Sequence, residues 1–79
     1  MKTPRDILNG LKWDSSKYLN RAEVFYIHRG APGDYKIIKG NDILNLGRSF
    51  IELEDGHIPY HRVFQIIHEG EVIFSRDRS

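Results

Sequence analysis

Glu23-Val24-Phe25-Tyr26-Ile27-His28 is the run on which the fold turns. β-branched and aromatic residues dominate it and no breaker interrupts it, so it reads as a strand. Both of its faces are apolar, which places it in the middle of a sheet. A flat sheet with one short helix would leave one of those faces bare, so the run predicts a sheet that rolls to enclose it. At 79 residues the chain is one domain, residues 1–79, near the lower limit of unaided folding. It has no cysteine, so no disulfide or thiolate metal site helps, and stability must come from an apolar core or self-association.

Outward from this strand, the turn-rich Gly30-Ala31-Pro32-Gly33-Asp34 leads to a second strand, Tyr35 to Lys39. Gly40-Asn41-Asp42 ends it, and Asn41 or Asp42 is placed to cap one short helical turn through Ile43, Leu44 and Leu46, closed by Gly47. Ser49 to Leu53, a turn over Glu54 to His57, and an extended segment from Ile58 suggest a hairpin. Val63 to His68, the turn Glu69-Gly70, and Glu71 to Ser75 make another, with Phe64 and Ile66 on the core face. Upstream, Thr3 caps and Pro4 opens a helix over about 4 to 12, with Asp6 completing a capping box and Ile7, Leu8 and Leu11 as its apolar stripe. Asp14 to Lys17 reads as a loop, Tyr18 to Arg21 as a short turn or one helical turn leading into the sheet, and Arg76 to Ser79 as a fraying tail. The expected architecture is α+β: one N-terminal helix packed on a curved, mainly antiparallel sheet, or partly closed barrel, of about five short strands.

The N-terminus lacks the apolar region of a signal peptide, and no apolar run approaches the roughly 20 residues that span a bilayer, so a soluble cytoplasmic protein is expected. A net charge of +1 gives no case for a broad polyanion partner.

Two segments carry the candidate chemistry: Tyr26-Ile27-His28-Arg29-Gly30-Ala31-Pro32-Gly33-Asp34 and Ile58-Pro59-Tyr60-His61-Arg62. Each sets a His-Arg pair beside a tyrosine at the junction of a strand with a proline or Pro-Gly turn, where polar groups are held rigidly yet reach solvent. An arginine fork grips an oxyanion at two points, and histidine donates to one or transfers a proton. Neighbours in a regular strand point to opposite faces, so His61 and Arg62 share a ligand only if the backbone bends. The plain alternative is that the histidines bond backbone and the arginines pair with nearby carboxylates. Four histidines raise a metal reading, but His57 and His61 straddle a proline-containing extended segment, and no nearby cysteine or carboxylate pair completes a site. Two histidines and an arginine also suit metal-independent cleavage of an RNA phosphodiester, with His28 and His61 as acid and base. Tyr35 and Tyr60 flank the loops and are placed to stack on a base, while Lys36, Lys39 and Arg48 are spare basic positions.

Taken together with Leu8 to Trp13, Lys39 to Ile43 and Gly47 to Phe50, these signatures resemble a family of small, largely archaeal proteins, the RNA cyclic group end recognition domain. The resemblance covers nearly the whole chain. It implies RNA binding at termini bearing phosphate or 2',3'-cyclic phosphate, and similar domains occur fused to RNA-processing enzymes; no cofactor is expected. His28, Arg29, Tyr60, His61 and Arg62 match its signatures, with Arg48 and Lys36 as supporting basic positions. An adaptor role in an RNA-processing complex, with the signature loops contacting protein, is the remaining alternative.

Overall fold

The computed structural model describes residues 3–14 and 19–77. Helix α1 (Pro4–Asp14) starts at the expected cap: the Thr3 hydroxyl accepts the Asp6 N–H at 3.2 Å, and the Asp6 carboxylate accepts the Thr3 N–H at 3.3 Å. That reciprocal pair satisfies two backbone donors which would otherwise lack partners. The helix runs two residues past the expected end, so Trp13 lies on it, 85% exposed, while Leu8 is fully buried.

Among the described residues seven strands follow: β1 (Ala22–Ile27), β2 (Tyr35–Lys39), β3 (Ile43–Leu46), β4 (Phe50–Leu53), β5 (Gly56–Pro59), β6 (Val63–His68) and β7 (Glu71–Ser75). All pairings are antiparallel, and they form two sheets, β2-β1-β6-β7 and β3-β4-β5. The expected single rolled sheet or partly closed barrel of about five strands is therefore corrected: neither sheet closes. Two three-residue 3-10 turns account for the difference. Gly40–Asp42 moves the chain from β2 in the large sheet to β3 in the small one, and Tyr60–Arg62 returns it from β5 to β6. Enclosure comes from packing α1 and the small sheet over one face of the large sheet: Leu8, Leu19, Val24, Leu46, Ile51, Ile58, Val63 and Ile66 form one buried cluster.

Ile43 to Leu46 is a strand, not the expected helical turn. Four residues are too few for apolar spacing to separate the two periods, and pairing with β4, Ile43 opposite Leu53 and Leu46 opposite Ile51, decides the outcome. The register of β6 also departs from simple alternation. Tyr26 faces Val63 and Phe25 faces Gln65, so Phe64 is the extra residue of a bulge. Val63 and Ile66 join the main buried cluster, while Phe64, also buried, packs apart from it with Phe25 and Tyr35 at ring separations of 6.2 and 5.9 Å. The β6–β7 hairpin closes as expected at Glu69 and Gly70, whose φ values of 52° and 83° suit a tight two-residue turn. Leu19 and Asn20 are helical and Arg21 is a turn residue; the loop beyond Asp14 and the last two residues of the tail lie outside the described residues. Among the described residues, no helix is long and apolar enough to cross a membrane.

Candidate nucleic-acid interface

The first signature segment is fixed by its own backbone. After the last β1–β2 pair, Ile27 opposite Tyr35, the His28 N–H donates to the Asp34 carbonyl at 2.9 Å. Within the loop, Ala31 N–H reaches the His28 carbonyl at 3.2 Å and Asp34 N–H reaches the Ala31 carbonyl at 2.8 Å. Gly30 and Gly33 supply the positive φ values, 94° and 73°, that the reversals need. The half-buried His28 thus sits at a rigid strand end, two residues beyond Tyr26 and on its side of the sheet, with the two rings edge to face at 6.3 Å.

The second segment is a 3-10 turn, and Arg76 holds it closed. Its guanidinium donates to the carbonyls of Tyr60, His61 and Val63, the last at 2.8 Å from Nε, and its backbone N–H donates to the Phe64 carbonyl at 2.9 Å. This corrects the fraying tail at its first residue: five donors in a fixed fork can satisfy several carbonyls of one turn at once. His61 and Arg62 are both exposed, and of the two only Arg62 lines the cleft beside β1.

Between these segments lies an open cleft of about 300 Å³, lined by Tyr26, His28, Asp55, His57, Pro59 and Arg62. His28 and Arg62, one from each signature and 34 positions apart, meet here. Burial, and secondarily the charge of Asp55, raises the Tyr26 phenol above its usual value, so it stays a protonated donor. The cleft thus combines one guanidinium, two imidazoles, one phenol and one carboxylate.

Of the other sequence-derived candidates, Arg29, Lys36 and His61 are exposed and line neither this cleft nor the groove next to it. Lys36 stands opposite Tyr26 in the β1–β2 register, one strand over from the cleft. Tyr60 is committed to structure: its hydroxyl donates to the Gly47 carbonyl at 2.7 Å, which also accepts Arg5 Nε at 3.3 Å. Burial raises its phenol, against the opposing charge of Arg5. Tyr35 stacks on Phe25 at 6.0 Å. Arg48 lines an adjoining groove of about 520 Å³ with Ser49, Phe50, Glu52 and His57. The sequence marks Asp55 and His57 only as turn residues, with His57 entering the metal reading alone, although alternation around the inward Ile58 turns His57 outward. No group of three His, Asp or Glu among the described residues is placed to hold a metal ion.

Comparison with known proteins gives a consistent assignment. A UPF0248 protein of Methanococcus vannielii is 31% identical over 74 residues, covering 91% of this chain and 89% of the relative. A UPF0248 protein of Pyrobaculum islandicum is 34% identical over 77 residues, covering 91% and 87%. No solved structure matches the chain. The family described as the MJ1316 RNA cyclic group end recognition domain matches residues 1–76, and the chain belongs to that family.

Proposed function

We propose that the chain binds the 3' end of RNA bearing a 2',3'-cyclic phosphate, in the cleft between β1 and the β4–β5 hairpin. The observation that carries this reading is the convergence of His28 and Arg62 on one cleft. Arg62 makes the two-point grip on the phosphate oxygens, and His28 and His57 donate to them. Tyr26 offers a further neutral donor, and Asp55 accepts from the base or a ribose hydroxyl.

The charge balance favours the cyclic end over an open one. A cyclic phosphate is a diester with one negative charge, whereas a terminal phosphomonoester carries about −1.5 to −2 at neutral pH. With one arginine and one carboxylate lining the cleft, the monoanion is the better match. A 3'-hydroxyl end gives the arginine no terminal phosphate at all.

The test is binding of one short single-stranded RNA ending in a 3'-hydroxyl, a 3'-phosphate or a 2',3'-cyclic phosphate, at fixed salt, to wild type and Arg62→Ala. Tightest binding to the cyclic end, weakened about tenfold or more in Arg62→Ala, is expected, as for a charged hydrogen bond. Equal affinity for the three ends would refute the reading. Two imidazoles in one cleft also supply the base and the acid that adding water across the cyclic ester requires. Recovery of the bound cyclic end intact leaves recognition alone; recovery as a monoester makes the cleft catalytic.

A further inference from the structure

The small sheet has two unlike faces. Register pairs Phe50 with Pro59, Ile51 with Ile58, Glu52 with His57 and Leu53 with Gly56. Ile51 and Ile58 are buried in the core. Alternation therefore sends Phe50, Glu52, His57 and Pro59 to the opposite, solvent-facing side. On that side Phe50 is 41% exposed, and its ring meets the His57 imidazole edge to face at 4.6 Å. A large aromatic ring on the outer face of a small sheet is poorly used for packing, since it covers little apolar surface there.

The groove around Phe50 joins the cleft. His57 lines both, and so do Leu53 and Gly56. Arg48, exposed, and Ser49 stand at the start of β4 beside the ring. Glu52 also lines the groove, and its carboxylate accepts from Asn45 Nδ2 at 2.9 Å, which holds it on the β3 side. A flat hydrophobic ring, a neighbouring cation and a continuous path to a phosphate cleft are the parts from which single-stranded nucleic-acid sites are built.

We propose that this outer face is a second nucleotide subsite. The base preceding the terminal nucleotide stacks on Phe50, and Arg48 contacts the phosphate joining the two. The proposal rests on the end-binding reading of the adjoining cleft. It adds that the ligand is a single-stranded dinucleotide end, because a base held in a duplex cannot leave its stack to reach Phe50.

The test compares uridine 2',3'-cyclic phosphate with the dinucleotide UpU ending in the same cyclic group, by competition against a labelled oligomer, for wild type, Phe50→Ala, Phe50→Trp and Arg62→Ala. Wild type is expected to bind the dinucleotide roughly 5- to 100-fold more tightly than the mononucleotide, the range for one stacked base. Phe50→Ala should lose the stacking part of that increment, leaving only what Arg48 gains from the joining phosphate, while keeping mononucleotide affinity, and Phe50→Trp should keep it whole. An undiminished increment in Phe50→Ala overturns the subsite. A blunt RNA duplex with a cyclic end binding as tightly as the free strand overturns it too. Failure of the end reading has a separate signature: Phe50→Ala weakens UpU with a plain 3'-hydroxyl as much as the cyclic form, and Arg62→Ala weakens neither.

Discussion

Arg76 shows how far a single residue can act from where its chemistry is read. It follows the last strand and holds the turn that carries Arg62, donating to the carbonyls of Tyr60 and His61 within it and of Val63 at the start of β6. Its guanidinium also lies over the Phe74 ring at 5.7 Å, which limits its freedom to swing away. Arg76→Ala is expected to cost about 1 to 3 kcal/mol in urea unfolding and to weaken cyclic-end binding with Arg62 still in place. Arg76→Lys should recover only part of either, since an ammonium is a point charge and not a planar fork. An unchanged urea midpoint together with unchanged binding would show that the turn holds itself. Nothing in Arg76-Asp77-Arg78-Ser79 distinguishes such a residue from a fraying end, because its partners are carbonyls of a turn 13 to 16 positions earlier.

At the scale of elements, the two 3-10 turns that carry the chain between sheets, Gly40–Asp42 and Tyr60–Arg62, decide the architecture, and the former depends on Gly40. Gly40 is buried, and a Cβ there would lie 1.6 Å from the Leu19 carbonyl oxygen, so the turn packs directly on the backbone leading into β1. Gly40→Ala should lower stability by on the order of 3 kcal/mol in thermal unfolding. Gly10→Ala should instead raise it by about 0.5 to 1 kcal/mol, because the position is helical with nothing within 4 Å of the added methyl. Equal effects of the two substitutions would mean that the close approach at Gly40 is not tightly held. Read along the chain, Gly40 is legible as a strand terminator, but the contact that demands glycine comes from a segment some 20 residues away.

For the molecule as a whole, few positive groups converge. The net charge is +1, and the cleft and groove together contribute Arg62 and Arg48. Binding should then depend on salt only weakly. Two phosphate contacts on a single strand predict a slope of log affinity against log salt near −1.4, and one contact about half that. A slope steeper than roughly −4 for a short oligomer would signal a broad basic track and would contradict a ligand gripped at its end.

Local readings that depend on neighbours in the chain were legible in the sequence: the Thr3–Asp6 capping box, the β6–β7 hairpin with its Glu69-Gly70 turn, the strand character of β1 and the two signature segments. Each rests on spacing within a few residues, where propensity and hydrogen bonding act directly. Tertiary structure alone decided the division into two sheets, the β3 pairing, the bulge at Phe64 and the meeting of His28 with Arg62, His57 and Asp55 in one cleft. These follow from which distant segment supplies the missing hydrogen bonds and covers the apolar face, a competition that local spacing does not record.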